Sequence, residues 1–144
     1  MPAAPAATCF PGTHAGFADG FDWLRQRLDA EELGAAARYN VELVFEEIVA
    51  NIVNHGAVRG QELQVRVTLQ SLAALIVLTF EDNGIPFDPC QRTEVPMPAK
   101  SLAEAQLGGL GLMLVRRAAS TLRYERTADG GNRLAVTVRR ERAG

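Results

Sequence analysis

Glu47, Asn51 and His55 stand four residues apart in the stretch FEEIVANIVNHG. In a helix that spacing places all three on one stripe. Val41, Val44, Phe45, Ile48, Val49 and Ile52 recur through the same stretch at i+3 and i+4. The polar stripe therefore runs along the border of an apolar face and would edge any space between this helix and the layer it covers. A carboxylate in that position can take a proton from an attacking hydroxyl. An amide oxygen one turn away can hold a hard cation such as Mg²⁺, which prefers oxygen ligands and keeps phosphates in its shell. A plain polar flank would show the same residues, and His55 on its own reads as a helix-terminal histidine favoured by the helix dipole.

Two further stretches carry residue types suited to ligands. In EDNGIPFDP, Asp82 sits where an apolar run ends, and a carboxylate there can accept hydrogen bonds from an exocyclic amine. Gly84 lets the backbone approach a flat ring with no Cβ between them. The same residue types also make ordinary turns. In LGGLGLMLVRRAAS, Gly108, Gly109 and Gly111 open an apolar-periodic segment. The free N–H groups and the dipole at a helix start attract anions such as phosphate. No Gly-Lys-Ser/Thr follows these glycines and no βαβ unit surrounds them, which excludes a P-loop and the dinucleotide fingerprint. A flexible hinge is the competing reading.

The elements that must position these residues follow from periodicity. Helices are predicted over Gly16 to Leu33, Ala35 to His55 and Leu110 to Ala119. Strands are predicted from Leu63, where Leu63, Val65, Val67 and Leu69 alternate with polar residues, and over Leu75 to Glu81. A second hairpin joins Leu122 to Arg126 with Leu134 to Arg139 around Asp129-Gly130-Gly131. Thr8 to Phe10 reads as an added edge strand. The proline-rich stretch from Ile85 to Leu107 reads as a long loop, of the kind that is functional or mobile in a compact domain. Strands arriving as hairpins, with helices that need one face to cover, give a two-layer α+β sandwich on a largely antiparallel sheet.

Composition sets the outer bounds. A chain of 144 residues is one domain's worth, and the first seven, rich in Ala and Pro, are expected to be flexible. Fifteen basic residues against seventeen acidic ones leave a formal charge of −2, which argues against a general nucleic-acid binder. Fourteen of the basic residues are arginine, with Lys100 the single lysine. The start lacks the features of a secretory signal, and the longest apolar run, Leu72 to Phe80, is far short of the ~20 residues of a membrane helix. Cys9 and Cys90 are in no metal-ligand spacing and read as idle or buried thiols of a reducing cytoplasm.

Taken together, in this order and at these separations, the three stretches resemble the N, G1 and G2 boxes of the GHKL ATPase superfamily. The closer resemblance is to the small anti-sigma factor serine/threonine kinases, over roughly Gly16 to Arg140. The N box is Glu47, Asn51 and His55. The G1 box is Asp82, Gly84 and Phe87-Asp88-Pro89, and the G2 box runs from Gly108 to Leu112. The resemblance implies the Bergerat fold, helices over one face of a mixed, largely antiparallel sheet. It implies ATP and Mg²⁺, with Glu47 as general base and Asn51 as ligand of the ion that bridges the phosphates, Asn54 adding a second polar contact. It places Asp82 on the adenine amine with Gly84 beside the ring. Gly108, Gly109, Gly111 and Leu112 would wrap the phosphates. Cys90 to Leu107 would form a lid from which Lys100 reaches a phosphate.

Two departures stand out. Pro86 occupies a position where the superfamily often has glycine. The last hairpin lacks the Gly-Thr pair many members use near adenine, Thr137 being the candidate substitute if its strand face allows. The implied function is a cytoplasmic protein kinase that phosphorylates an anti-anti-sigma antagonist and holds a sigma factor, with no direct contact to nucleic acid or membrane and with a homodimer compatible. A non-catalytic, ATP-gated binding module is the alternative. A detached histidine-kinase domain fits poorly, since His14 lies in a glycine-rich stretch (PGTHAG) and not in a long dimerisation helix.

Overall fold

The computed structural model describes residues 4–88 and 110–140. Strand β1 (Ala6–Pro11) is followed by helices α1 (His14–Asp29) and α2 (Ala35–His55), then by strands β2 (Gln64–Ser71) and β3 (Leu75–Asp82). Helix α3 (Leu110–Ala118) and the hairpin of β4 (Thr121–Arg126) and β5 (Asn132–Arg139) complete the described chain. The five strands lie in the order β1-β2-β3-β5-β4, and all four pairings are antiparallel. The helices supply the second layer of the sandwich.

Local chemistry explains the boundaries. The Thr13 hydroxyl accepts from Gly16 N at 3.0 Å, so α1 starts at His14 instead of Gly16. It stops at Asp29, short of Leu33, where Ala30 and Glu31 turn back onto the carbonyls of Arg27 and Leu28. Helix α2 has the predicted ends, closed by Gly56, whose N–H donates to Ile52 O at 2.8 Å. Strand β1 begins at Ala6, inside the segment expected to be flexible, because the antiparallel ladder on β2 runs on to Ala6↔Leu69. Cys9 on that strand is exposed, and Cys90 lies outside the described residues.

One face of the sheet is buried. Val65, Val67 and Leu69 of β2, Ile76, Leu78 and Phe80 of β3, and Leu134, Val136 and Val138 of β5 all point to the helices. Leu24 and Leu28 of α1, five residues of α2 from Val41 to Val49, and Leu112 and Val115 of α3 meet them. Phe45 of α2 is fully buried at the hub. Its ring lies 5.8–6.2 Å from those of Phe10, Phe17, Phe21 and Phe80, which joins β1, α1 and β3 through one side chain. At the far end of the sheet, Arg140 bonds Glu31 at 3.1 Å and also the Ser71 hydroxyl, tying the last described residue to the α1–α2 link and the end of β2.

Phe45→Ala should cost about 3–5 kcal/mol, the loss expected for an aromatic ring removed from a well-packed core. Urea unfolding should show it as a lower midpoint with an unchanged slope.

Candidate functional site

The strand register carries the apolar face of the sheet to a polar end. Along β3 the inward residues are Ile76, Leu78, Phe80 and then Asp82, the last residue of the strand. Asp82 stands directly opposite Val65 on β2 and Asn132 on β5. Helix α2 passes over this end and stops there. The space between them is a cavity with mostly apolar walls, including Ile48, Ile52, Phe80 and Leu134, and with Asn51, Asp82 and Asn132 as polar groups in its lining. Ile85, Phe87 and Tyr124 also line it.

The turn after β3 is clamped to the end of α2. Gly56 O accepts from Ile85 N at 3.1 Å, and Gly84 N donates to Asp82 Oδ1 at 2.8 Å. A Cβ on Gly84 would lie 2.4 Å from Gly56 O and 2.9 Å from Asp82 Oδ1, so no side chain fits there. The Asn83 side chain holds the turn from the other side. It accepts from Gln64 N at 2.8 Å and donates to Glu62 O at 2.9 Å.

Asp82 is held from across the sheet by a residue that the sequence reading missed. Asn132 Nδ2 donates to Asp82 Oδ1 at 2.9 Å and to Ile85 O at 2.8 Å. Asn132 Oδ1 accepts from Arg126 Nη1 at 3.1 Å and from the Tyr124 hydroxyl. Burial pushes the Asp82 carboxyl above its ordinary range, while the bonds from Asn132 and Gly84 and the charge of Arg126 pull the other way. The signal for Asn132 was present: it shares the parity of Leu134, Val136 and Val138, which fixes it on the core face. Thr137 has the opposite parity. It lies on the outer face, where Ser120 and Thr121 bond its hydroxyl, and so cannot stand in for a residue near the cavity.

The N-box residues divide along α2. Asn51 lines the cavity, and its side chain makes no hydrogen bond among the described residues. Glu47 stands one turn earlier, against the start of α3. A Cβ on Gly111 would lie 2.3 Å from Glu47 Oε2, so that glycine leaves the room the carboxylate occupies. Burial, then the neighbouring Glu46, raises the Glu47 carboxyl above its ordinary range. His55 lies in the cavity wall. Asn54 is exposed and outside the cavity lining. The Leu112 side chain is buried in the core, so only its backbone faces the start of α3. Lys100, Gly108, Gly109 and the loop from Cys90 to Leu107 lie outside the described residues.

This geometry has relatives. The family model described as the histidine kinase-like ATPase domain matches residues 17–138. The chain belongs to that family. Among its relatives is the serine/threonine-protein kinase BtrW of Bordetella bronchiseptica, 34% identical over 119 residues that make up 83% of this chain and 82% of BtrW. The fold is shared with one third of the structure of the RsbU and RsbW domains of Rv1364c from Mycobacterium tuberculosis, with a TM-score of 0.64 and 18% identity over 96% of this chain and 33% of that one. It is shared also with the catalytic domain of the histidine kinase ThkA, with a TM-score of 0.53 and 12% identity over 94% of this chain and 97% of that one. These likenesses establish the fold as that of the histidine kinase-like ATPase domain. No described helix is long and apolar enough to cross a membrane.

The raised Glu47 carboxyl gives a stability signature. A carboxyl raised in the folded state stabilises the fold below its unfolded value and loses that contribution as pH rises through the folded value. Glu47→Gln removes the desolvated charge and no hydrogen bond among the described residues. It should raise the urea midpoint near neutral pH, and the difference should shrink as the pH is lowered to where Glu47 is protonated. Paired urea titrations across that range check this.

Proposed function

We propose that this chain is an Mg-ATP-dependent serine/threonine protein kinase that acts on a protein antagonist in a partner-switching circuit. The observation that carries the reading is the line from Glu47 through Asn51 to Asp82. A carboxylate stands at the start of α3, an unbonded amide stands one turn on, and a second carboxylate closes an apolar cavity. The kinship with BtrW, itself named a serine/threonine-protein kinase, supports the same reading.

In this reading the cavity takes the adenine ring between Ile48, Ile52 and Leu134, and Asp82 accepts from its amine. The phosphates extend along α2 toward the start of α3, where the helix dipole and the backbone N–H groups of Gly111 and Leu112 favour negative charge. Gly108, Gly109 and Lys100, the other residues the resemblance assigns to the phosphates, lie outside the described residues. The donor set suits Mg²⁺, since the Asn51 amide oxygen is a hard ligand without a partner and the ion takes one or two protein oxygens beside phosphates and water. Bound there, Mg²⁺ would supply charge neutralisation on the phosphates.

The transfer itself asks little covalent chemistry of the protein. A serine or threonine hydroxyl oxygen of the antagonist bonds to the γ-phosphorus. The bond from that phosphorus to the β–γ bridging oxygen breaks, and ADP leaves with the electron pair. Glu47 takes the hydroxyl proton, and the desolvation that raises its carboxyl strengthens it as a base. The antagonist and a sigma factor are the proposed partners, and the cytoplasm is the proposed compartment.

Transfer from γ-labelled ATP into proteins of the source lysate tests this. Wild type should label a discrete band that Glu47→Ala does not. Gly111→Ala should lower labelling by roughly ten- to a hundredfold, because the added methyl displaces Glu47 Oε2. It should still bind ATP, since the backbone N–H of residue 111 is kept. No labelled band, with Mg-ATP binding confirmed, would replace the kinase by an ATP-gated binding module.

A further inference from the structure

Asn132 is 6% exposed and is the one buried polar side chain among the described residues. A primary amide offers two N–H donors and an oxygen with two lone pairs. In Asn132 all four are in use. Both donors are spent on Asp82 Oδ1 and Ile85 O, and both lone pairs on Arg126 and the Tyr124 hydroxyl. The amide cannot be reversed. A flip would set its oxygen against the Ile85 carbonyl and the Asp82 carboxylate, and its NH₂ against the guanidinium of Arg126. Asn132 therefore has no group left to offer a ligand. What it controls is Asp82. The bonds from Gly84 and Asn132 both end on Oδ1, and Oδ2 accepts no bond among the described residues although Asp82 lines the cavity.

We propose that Asn132 is the positioning residue that makes the cavity selective for a base with an exocyclic amine. Tyr124 and Arg126 lock its amide, and the amide holds Asp82 so that one carboxylate oxygen is left to accept. This rests on reading the cavity as the site of a nucleotide base. A 6-amino purine presents an N–H to Oδ2, whereas a 6-oxo purine presents a lone pair that an ionised carboxylate repels. If the Asn132 bond is lost, Asp82 is free to rotate or to take a proton on the oxygen that faces the base, and then it can donate to the 6-oxo group. Asn132 thus governs the ratio of the two affinities more than either one.

Calorimetric binding of ATP and of inosine triphosphate to the full chain tests this in wild type, Tyr124→Phe and Asn132→Asp. Wild type should prefer ATP. Tyr124→Phe removes one lock and should lower the ratio several-fold in a folded protein. Asn132→Asp should lower it by roughly tenfold or more, because it replaces the N–H donor that holds Asp82 Oδ1 with a second carboxylate. A purely structural role would weaken both nucleotides in equal proportion. That result, in Asn132→Asp or in Tyr124→Phe alone if the former does not fold, overturns the proposal. A wild type that binds neither nucleotide, or binds both equally, overturns the base-site reading and the proposal with it.

Discussion

The site depends on one backbone junction, where the carbonyl of Gly56 at the end of α2 accepts from Ile85 N after β3. The two segments approach so closely that a single Cβ on Gly84 would collide with the Gly56 carbonyl. This contact fixes the height of the helix over the sheet. Asn51 and Asp82 share one cavity because the helix ends where the strand ends. The Asn83 side chain bonds and the Asn132 bond to Ile85 O hold the same turn from two other directions. A turn over-determined in this way keeps its shape whether or not a ligand is present, which is the condition for binding without reorganisation.

Two carboxylates are held against their preference. Asp82 and Glu47 are both raised above the ordinary carboxylate range, and burial is the leading cause for each. Their surroundings then diverge. Asp82 receives bonds from Gly84 and Asn132 with Arg126 nearby, groups that return it toward the charged form. Glu47 receives no such bond among the described residues and has Glu46 for a neighbour. On the proposed reading the first arrangement suits a fixed acceptor and the second a proton acceptor, two tasks set by environment alone.

Much of this was legible in the sequence because it rests on periodicity. The i+3 and i+4 pattern of Val41 to Ile52 gave α2 its true ends, and alternation gave β2 and β3 to within a residue or two. The α1 boundaries were less legible, since a Thr13 cap outranks the spacing of its apolar residues. The reach of β1 was hidden because its pairing with β2 is non-local. At the site, side-chain direction was the limiting knowledge. Asn54 reads as a neighbour of Asn51 along the chain but turns to the surface, and Leu112 reads as part of a phosphate loop but anchors the core. Asn132 and Thr137 differ only in strand parity, and that parity puts one on the cavity and the other on the outer face.

The division of the site into two ends follows from the same geometry. The cavity end is walled by aliphatic and aromatic side chains, so a polar group admitted there must find a partner or cost its desolvation. Oδ2 of Asp82 is the acceptor left for such a group, which makes the discrimination one of unpaired polar atoms and not of size. Sites of that kind reject a mismatched ligand more strongly than a methylene-sized difference in shape would. The other end is built from a helix start and a carboxylate without a fixed donor, an arrangement that tolerates charge and proton movement. Helix α2 spans both ends, with Asn51 between them. Its rigidity transmits the position set at the Gly56 junction to Glu47, two turns and more away. On the proposed reading, the fidelity of the base end and the alignment of the proton acceptor are therefore one mechanical problem, solved where the helix meets the turn.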